Sequence, residues 1–263
     1  MSAPPVAIVL AAGKGTRMKS DLPKVLHPAA GEPMVRHVVE ALHEIGASPI
    51  VLVVGHGADL VREAFPDAAE RDVRFAIQAE QLGTGHAVMC GLTELSEAER
   101  SRDIVVLCGD GPLVRGRTLA ALLDAHSGSG AAATLATSKV ADPTGYGRIA
   151  RDESGRFRAI VEHSDASDAE RAIDEINPSV YAFRGAALAA ALPRVGRGNA
   201  KGEIYLTDVF ALLLEDERSG QLAGPAVEVV AAVPPEEVLS VNDPAQLAEV
   251  DRILRARMRE ATR

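Results

Sequence analysis

The chain has 263 residues, 47% hydrophobic and 25% charged, enough for one large α/β domain, or one domain with a small appendage, around a substantial core. A formal net charge of −9, no tryptophan and 3% aromatic residues exclude a basic polyanion surface and an aromatic stacking platform, so no nucleic-acid polymer is expected as a partner. Cys90 and Cys108 fit neither a disulfide framework nor a zinc site and are expected as small buried hydrophobes in a reducing, cytoplasmic setting.

Apolar runs alternate with helix-period segments through the first half, the pattern of a mostly parallel sheet covered by helices. The run 6–10 reads as a buried strand; with the alanines to 12 it is too short for a membrane span and charge follows at once, so neither leader nor anchor is expected. A helix is predicted over 33–45, with Pro33 at its first position and Gly46 beyond its end. Strand 50–54, helix 58–65 stopping before Pro66, strand 73–77, helix 84–92, strand 104–108, helix 118–127 and strand 132–137 follow. The second half changes character. Segments 148–151 and 156–162, split by Asp152-Glu153-Ser154-Gly155, predict a hairpin inserted on the sheet, and 177–183 predicts one further strand. The acidic run 165–174 reads as a solvated loop and helix. A helix over 206–217, a strand over 227–233 and an amphipathic helix over 244–260, with Leu247, Val250, Leu254 and Met258 on one side, complete the chain. The division expected is a domain over 1–243 and a C-terminal helix over 244–263, the helix packing back on the domain.

The first strand breaks into Ala11-Ala12-Gly13-Lys14-Gly15-Thr16-Arg17-Met18, then Leu22-Pro23-Lys24-Val25-Leu26. From Gly13 to Leu26 there are four basic residues against one acid in an otherwise acidic chain, and glycines that let successive N–H groups face an anion. This reads as a cradle for a polyanionic small molecule. It is neither a dinucleotide fingerprint, which would need glycine where Met18 stands, nor a P-loop, whose order is missing. The alternative is a glycine-rich turn with solvated lysines, which Arg17 and Lys24 in the same loop disfavour.

The strand ending at Cys108 runs into Gly109-Asp110-Gly111-Pro112, leaving a carboxylate at the sheet edge where open α/β folds bind ligands. Asp110 would repel a phosphate unless it held a divalent cation such as magnesium; a plain turn aspartate before Gly-Pro stands beside that reading. Gln78, Glu80 and Gln81 precede Gly83-Thr84 on the same edge, where an amide can meet a base and Gly83 permits close approach of a ring. The seven histidines show no metal-ligand or catalytic spacing and read as surface or packing residues.

Together, Leu10-Ala11-Ala12-Gly13-Lys14-Gly15-Thr16-Arg17-Met18 and Leu22-Pro23-Lys24-Val25-Leu26-His27 resemble the signature of sugar-1-phosphate nucleotidyltransferases. More narrowly, the chain resembles the uridyltransferase half of the bacterial bifunctional N-acetylglucosamine-1-phosphate uridyltransferase/glucosamine-1-phosphate acetyltransferases. The likeness continues through 78–87, 109–113, Pro143-Thr144-Gly145-Tyr146-Gly147-Arg148-Ile149, Ile160-Val161-Glu162-His163, Glu175-Ile176-Asn177, 201–208 and Val241-Asn242-Asp243.

The resemblance implies a Rossmann-like fold of the nucleotide-diphospho-sugar transferase type. It also implies formation of UDP-N-acetylglucosamine and pyrophosphate from UTP and a sugar 1-phosphate, with Mg2+ as cofactor. By that likeness Leu10, Ala11, Ala12, Gly13 and Arg17 would hold the nucleotide phosphates and Lys24 would neutralise charge near the reacting phosphorus. Gln78, Gln81, Gly83 and Thr84 would read uracil and ribose, Gly147, Glu162 and Asn177 would grip the amino sugar, and Asp110 and Asn242 would share the metal.

Three departures matter. Cys108 stands where the resembled pattern has tyrosine, Pro178-Ser179 where it has Thr-Gly, and no hexapeptide-repeat segment follows residue 263, so acetyl transfer is not expected. Another hexose 1-phosphate, a thymidine nucleotide, or a non-catalytic sugar-nucleotide sensor are the alternatives. Oligomeric state is not legible.

Overall fold

The computed structural model describes residues 3–261. In chain order its elements are β1 (Val6–Leu10), β2 (Pro28–Ala29), β3 (Glu32–Pro33), α1 (Met34–Glu44), β4 (Ile50–Val54), α2 (Ala58–Glu63), β5 (Val73–Ile77), α3 (Thr84–Thr93) and α4 (Glu97–Arg100). There follow β6 (Asp103–Cys108), α5 (Gly116–Ser129), β7 (Ala133–Ala136), β8 (Ser138–Lys139), β9 (Gly147–Arg151), β10 (Phe157–Val161), α6 (Asp168–Arg171) and β11 (Glu175–Asn177). The last are β12 (Val180–Arg184), α7 (Gly185–Ala191), α8 (Asp208–Arg218), β13 (Val227–Val230) and α9 (Pro244–Ala261).

The main sheet has seven strands in the order β13-β7-β12-β6-β1-β4-β5. Its pairings are parallel except those of β12, which runs antiparallel to β6 and β7. The central strands are apolar without alternation because both faces are covered. Along β1, Val6 and Ile8 share a core with Val88 of α3 and Phe210 of α8, whereas Ala7 and Val9 share one with Val38 of α1 and Leu119 of α5. The period-two alternation therefore distributes one apolar run between two cores.

Most elements lie within two residues of expectation, and the exceptions have local causes. Pro33 is not the first residue of α1 but its N-cap, with ψ 137°, because it is paired to Pro28 in the β2–β3 ladder. The strand expected over 177–183 is two strands: β11 belongs to a second, four-stranded antiparallel sheet of order β10-β9-β11-β8, and β12 to the main sheet. Pro178 has no N–H to continue a ladder and Ser179 sits at φ 61°, so the chain turns from one sheet to the other there. The hairpin β9–β10 accordingly lies in this second sheet, with β11 and β8, and not in the main one. β13 stops at Val230, short of the expected 233, as the Ala232 N–H folds back to the Val230 carbonyl at 2.9 Å.

α9 packs on the domain: Val250 and Leu254 share a third core with Met18, Met34, Leu113 and Val241. Met258, expected on that face, is 57% exposed. The two cysteines are free and half-buried, not fully buried as expected. Among the described residues no helix is long and apolar enough to cross a membrane.

Candidate active site

β1 and β6 end together. The Gly109 N–H donates to the Leu10 carbonyl at 2.9 Å and the Ala11 N–H to the Val53 carbonyl at 2.8 Å, so the loops after β1 and β6 leave from one edge of the sheet. The first loop turns at Gly15, φ 60°, where a Cβ would stand 2.6 Å from the Lys24 Cβ. Glycine therefore allows the Lys24 stem to cross it. Gln81 Nε2 donates to the Ala12 carbonyl at 2.6 Å and pins the same loop from β5's side.

At the centre Lys24 Nζ ion-pairs with Asp110 Oδ2 and donates to Asn242 Oδ1 at 3.3 Å. Arg17 Nη2 donates to the same Asn242 oxygen at 2.9 Å. The lysine and aspartate side chains are only 13% and 17% exposed. The Val241 N–H donates to the Asp110 carbonyl at 2.9 Å and holds the strap that joins β13 to α9, residues 231–243, beside the β6 loop, while the Asn242 N–H donates to Gln246 Oε1 of α9 at 2.7 Å. Asp110 and Asn242 thus present two hard oxygen donors to one cationic atom. Among the described residues no trio of His, Cys, Asp or Glu is placed to hold a metal. A pair of oxygens suits a small hard divalent cation that takes its other ligands from water and phosphate.

Two cavities meet at this cluster. One, of about 230 Å³, is lined by Leu10, Ala11, Ala12, Gly13, Lys24, Gln78, Gln81, Gly83, Thr84 and Asp110; the other, of about 460 Å³, by Arg17, Asp110, Gly147, Glu162, Asn177 and Asn242 among others. Every residue expected at the site lines one of them. Asp110 and Cys108 line both, and Arg17 and Asp110 open onto a common cleft.

The supporting bonds limit what each side chain has left to offer. Gln78 is 4% exposed, and its amide nitrogen bonds the Gly83 carbonyl at 3.0 Å and His86 Nδ1 at 3.1 Å, leaving the amide oxygen with capacity to spare. Thr84 Oγ1 accepts from the Leu206 N–H at 2.9 Å. Glu162 Oε1 accepts from the Thr207 hydroxyl at 3.0 Å, leaving its second oxygen; burial pushes this carboxyl above the usual range. Asn177 Nδ2 donates to the Tyr181 hydroxyl at 2.6 Å and its Oδ1 accepts from the Ser179 N–H at 3.1 Å, so half of its capacity is already used. The Cys108 thiol is pushed up to about 12 by burial, with the Asp110 charge adding to it.

Several residues of the site carried no assigned role in the sequence. Glu203 lines the smaller cavity, and Tyr205 and Thr207 line a third pocket of about 150 Å³ shared with Leu10, Thr84 and Glu162. Their segment, 201–208, was part of the resemblance, which was the available signal. Glu237 had none: in the Pro235–Glu237 turn, its buried carboxylate accepts from the Arg115 N–H at 3.1 Å and the Thr118 hydroxyl at 2.7 Å, tying the strap to the start of α5. A larger cavity, about 680 Å³, lies elsewhere between the β9–β10 hairpin, α8 and β13. Two of its arginines, Arg151 and Arg156, are already paired with Glu175 and Asp152.

Comparison with known proteins identifies the family. The chain is 48% identical over 252 residues to the bifunctional protein GlmU of Pelobacter propionicus, covering 96% of this chain and 52% of that protein. It is 46% identical over 253 residues to that of Heliobacterium modesticaldum and 44% over 252 residues to that of Bacillus cereus, each with 96% and 52% coverage. The chain spans about half the length of these curated relatives. The MobA-like NTP transferase domain matches residues 7–201, which hold the glycine-bearing loop, Lys24 and Asp110 but not Asn242, and the chain belongs to that family.

Proposed function

We propose that this chain is a magnesium-dependent nucleotidyltransferase, forming UDP-N-acetylglucosamine and pyrophosphate from UTP and N-acetylglucosamine 1-phosphate in the cytoplasm. The observation that carries the reading is the convergence of Arg17, Lys24, Asp110 and Asn242 on the seam between two cavities, in a chain of the NTP transferase family. The GlmU relatives agree with it in kind.

The smaller cavity suits the nucleotide. Backbone at 11–13 would face its phosphates. With both its N–H groups engaged, Gln78 offers an acceptor, which complements the imide N–H of uracil or thymine and opposes the N3 acceptor of cytosine. The larger cavity suits the sugar phosphate, where the free oxygen of Glu162 would accept from a sugar hydroxyl. A phosphate oxygen of the acceptor forms the new bond to the α-phosphorus in line as the bond to the bridging oxygen breaks, and pyrophosphate leaves with that electron pair. No general base is required, because a phosphate monoester is ionised near neutral pH. Arg17 and Lys24 hold the reactants in register and offset the charge on the equatorial oxygens. Asp110 and Asn242 would hold magnesium, which would supply positive charge to the phosphates.

One observation favours a second acceptor or base: Cys108, small where the resembled pattern has tyrosine, lines each of the three pockets at the site. Another hexose 1-phosphate or dTTP is therefore the second reading. Pyrophosphate release, measured with nucleoside triphosphates against sugar phosphates in the presence of Mg2+, tests both. UTP with N-acetylglucosamine 1-phosphate is expected to turn over fastest. Binding of UDP-sugar with no turnover of any pair would replace the enzyme by a sensor.

A further inference from the structure

We infer that the Lys24 ammonium occupies the seat of the divalent cation in the nucleotide-free protein, so that cation and lysine exclude one another and the cation is admitted together with the triphosphate. The inference rests on the proposed nucleotidyl transfer and deepens it. Lys24 Nζ is bonded to the same two side-chain oxygens, from Asp110 and Asn242, that form the hard-donor pair. A cation needs those oxygens at about 2.1 Å. An ammonium hydrogen-bonded to both stands in the way sterically and by charge, in a cluster that is mostly shielded from water.

Arg17 does not share this position. It is exposed, and among the described residues its side chain hydrogen-bonds Asn242 and not Asp110. Lys24 is held in place by its short helical turn, with its stem packed over Gly15. For the lysine to leave Asp110 it needs another anion within reach, and the cavity it lines is the one with the phosphate-facing loop. A triphosphate provides that anion and brings phosphate ligands for the metal. The lysine would then pass from carboxylate to phosphate as the cation takes its former position, which delivers its charge to the reacting group only when the cation is present.

The test counts free Mn2+ by its EPR signal while nucleotide-free protein is titrated in, at constant pH, with circular dichroism confirming the fold. If the lysine holds the seat about nine-tenths of the time, apparent Mn2+ affinity is lowered about tenfold. Lys24→Met is expected to tighten Mn2+ binding by about that factor. Lys24→Arg, which keeps a cation on Asp110, is expected to bind no better than wild type, and Arg17→Met to gain much less than Lys24→Met. Unchanged or weaker Mn2+ binding in Lys24→Met would overturn the inference. So would equal tightening in Arg17→Met, which would reveal a general field instead of a vacated seat, or tightening in Lys24→Arg. Turnover plays no part in this readout, so failure of the substrate panel would sink the transfer reading while leaving the exclusion result intact.

Discussion

Replacing Gly83 by alanine tests how the nucleotide cavity is built. Gly83 sits at φ 112° and ψ 176°, a region essentially reserved for glycine, and an alanine there costs about 1–3 kcal/mol in backbone conformation alone. Its Cβ would lie 2.5 Å from the Ile204 carbonyl oxygen and 2.8 Å from the Ile204 nitrogen. These are backbone atoms and cannot rotate aside. Displacing them breaks the Ile204 N–H bond to the Leu82 carbonyl at 2.7 Å and the Gly85 N–H bond to the Ile204 carbonyl at 2.8 Å, each worth about 1 kcal/mol net. The expected loss is about 3–5 kcal/mol, read from the urea midpoint at unchanged slope. Gly202→Ala is the control: φ is 64° but nothing lies within 4 Å, so only the left-handed cost of about 1–2 kcal/mol applies. A Gly83→Ala protein as stable as Gly202→Ala, within about 1 kcal/mol, would refute the clash argument. Because Gly83 and Thr84 line the nucleotide cavity, KM for UTP should rise in Gly83→Ala and stay unchanged in Gly202→Ala.

Lys24→Ala and Asp110→Asn should each keep the fold and lose on the order of 10²–10³ in kcat, as when one preorganised charge contact is removed; near-wild-type rates in both would remove the mechanism. The Glu162 carboxyl titrates above the ordinary range through burial, with Asp165, Asp208 and Lys201 also acting on it. The native state therefore holds its proton more tightly than the unfolded chain. That stabilisation is complete below the unfolded pKa and fades as pH rises through the elevated native one. Glu162→Gln should flatten this part of the stability profile in urea titrations at stepped pH. It should likewise abolish a fall in sugar-phosphate KM over the same rise, since only the ionised carboxylate accepts from a hydroxyl with both oxygens. Cys108, with its thiol pushed up to about 12, should resist iodoacetamide at pH about 8 in the folded protein and react readily in urea. Mass-spectrometric labelling of Cys108 at equal rates in both states would contradict the raised thiol.

The order of strands and helices in the first half was readable because each buried strand is a short apolar run and each covering helix shows its own period, as in 6–10 against 34–44. The glycine-bearing loop and Asp110 could be placed on one sheet edge from the rule that parallel strands end on the same side. Where local pattern is weak, reading failed. The run Gly185–Ala191 is nearly all alanine and has no polar face to mark a period, yet it is helix α7, with Leu188 and Ala191 buried. Residues 177–183 look like one strand because β propensity continues through Tyr181 and Phe183, and only competition between two sheets at Pro178-Ser179 divides it.

What the amino-acid sequence determined by itself was the covering of a parallel sheet and the chemistry available at its edge, since hydrophobic period and turn residues act over a few positions. Only the tertiary structure decided which of those side chains are free to act. Asn242 meets Lys24 across 218 residues, Gln78 commits its amide nitrogen within its own loop, and Glu237 ties the strap to α5 through a contact with no trace in local sequence. Such pairings depend on where separate segments come to rest and on which hydrogen-bonding capacity packing has already consumed, and neither is encoded within a window of neighbouring residues.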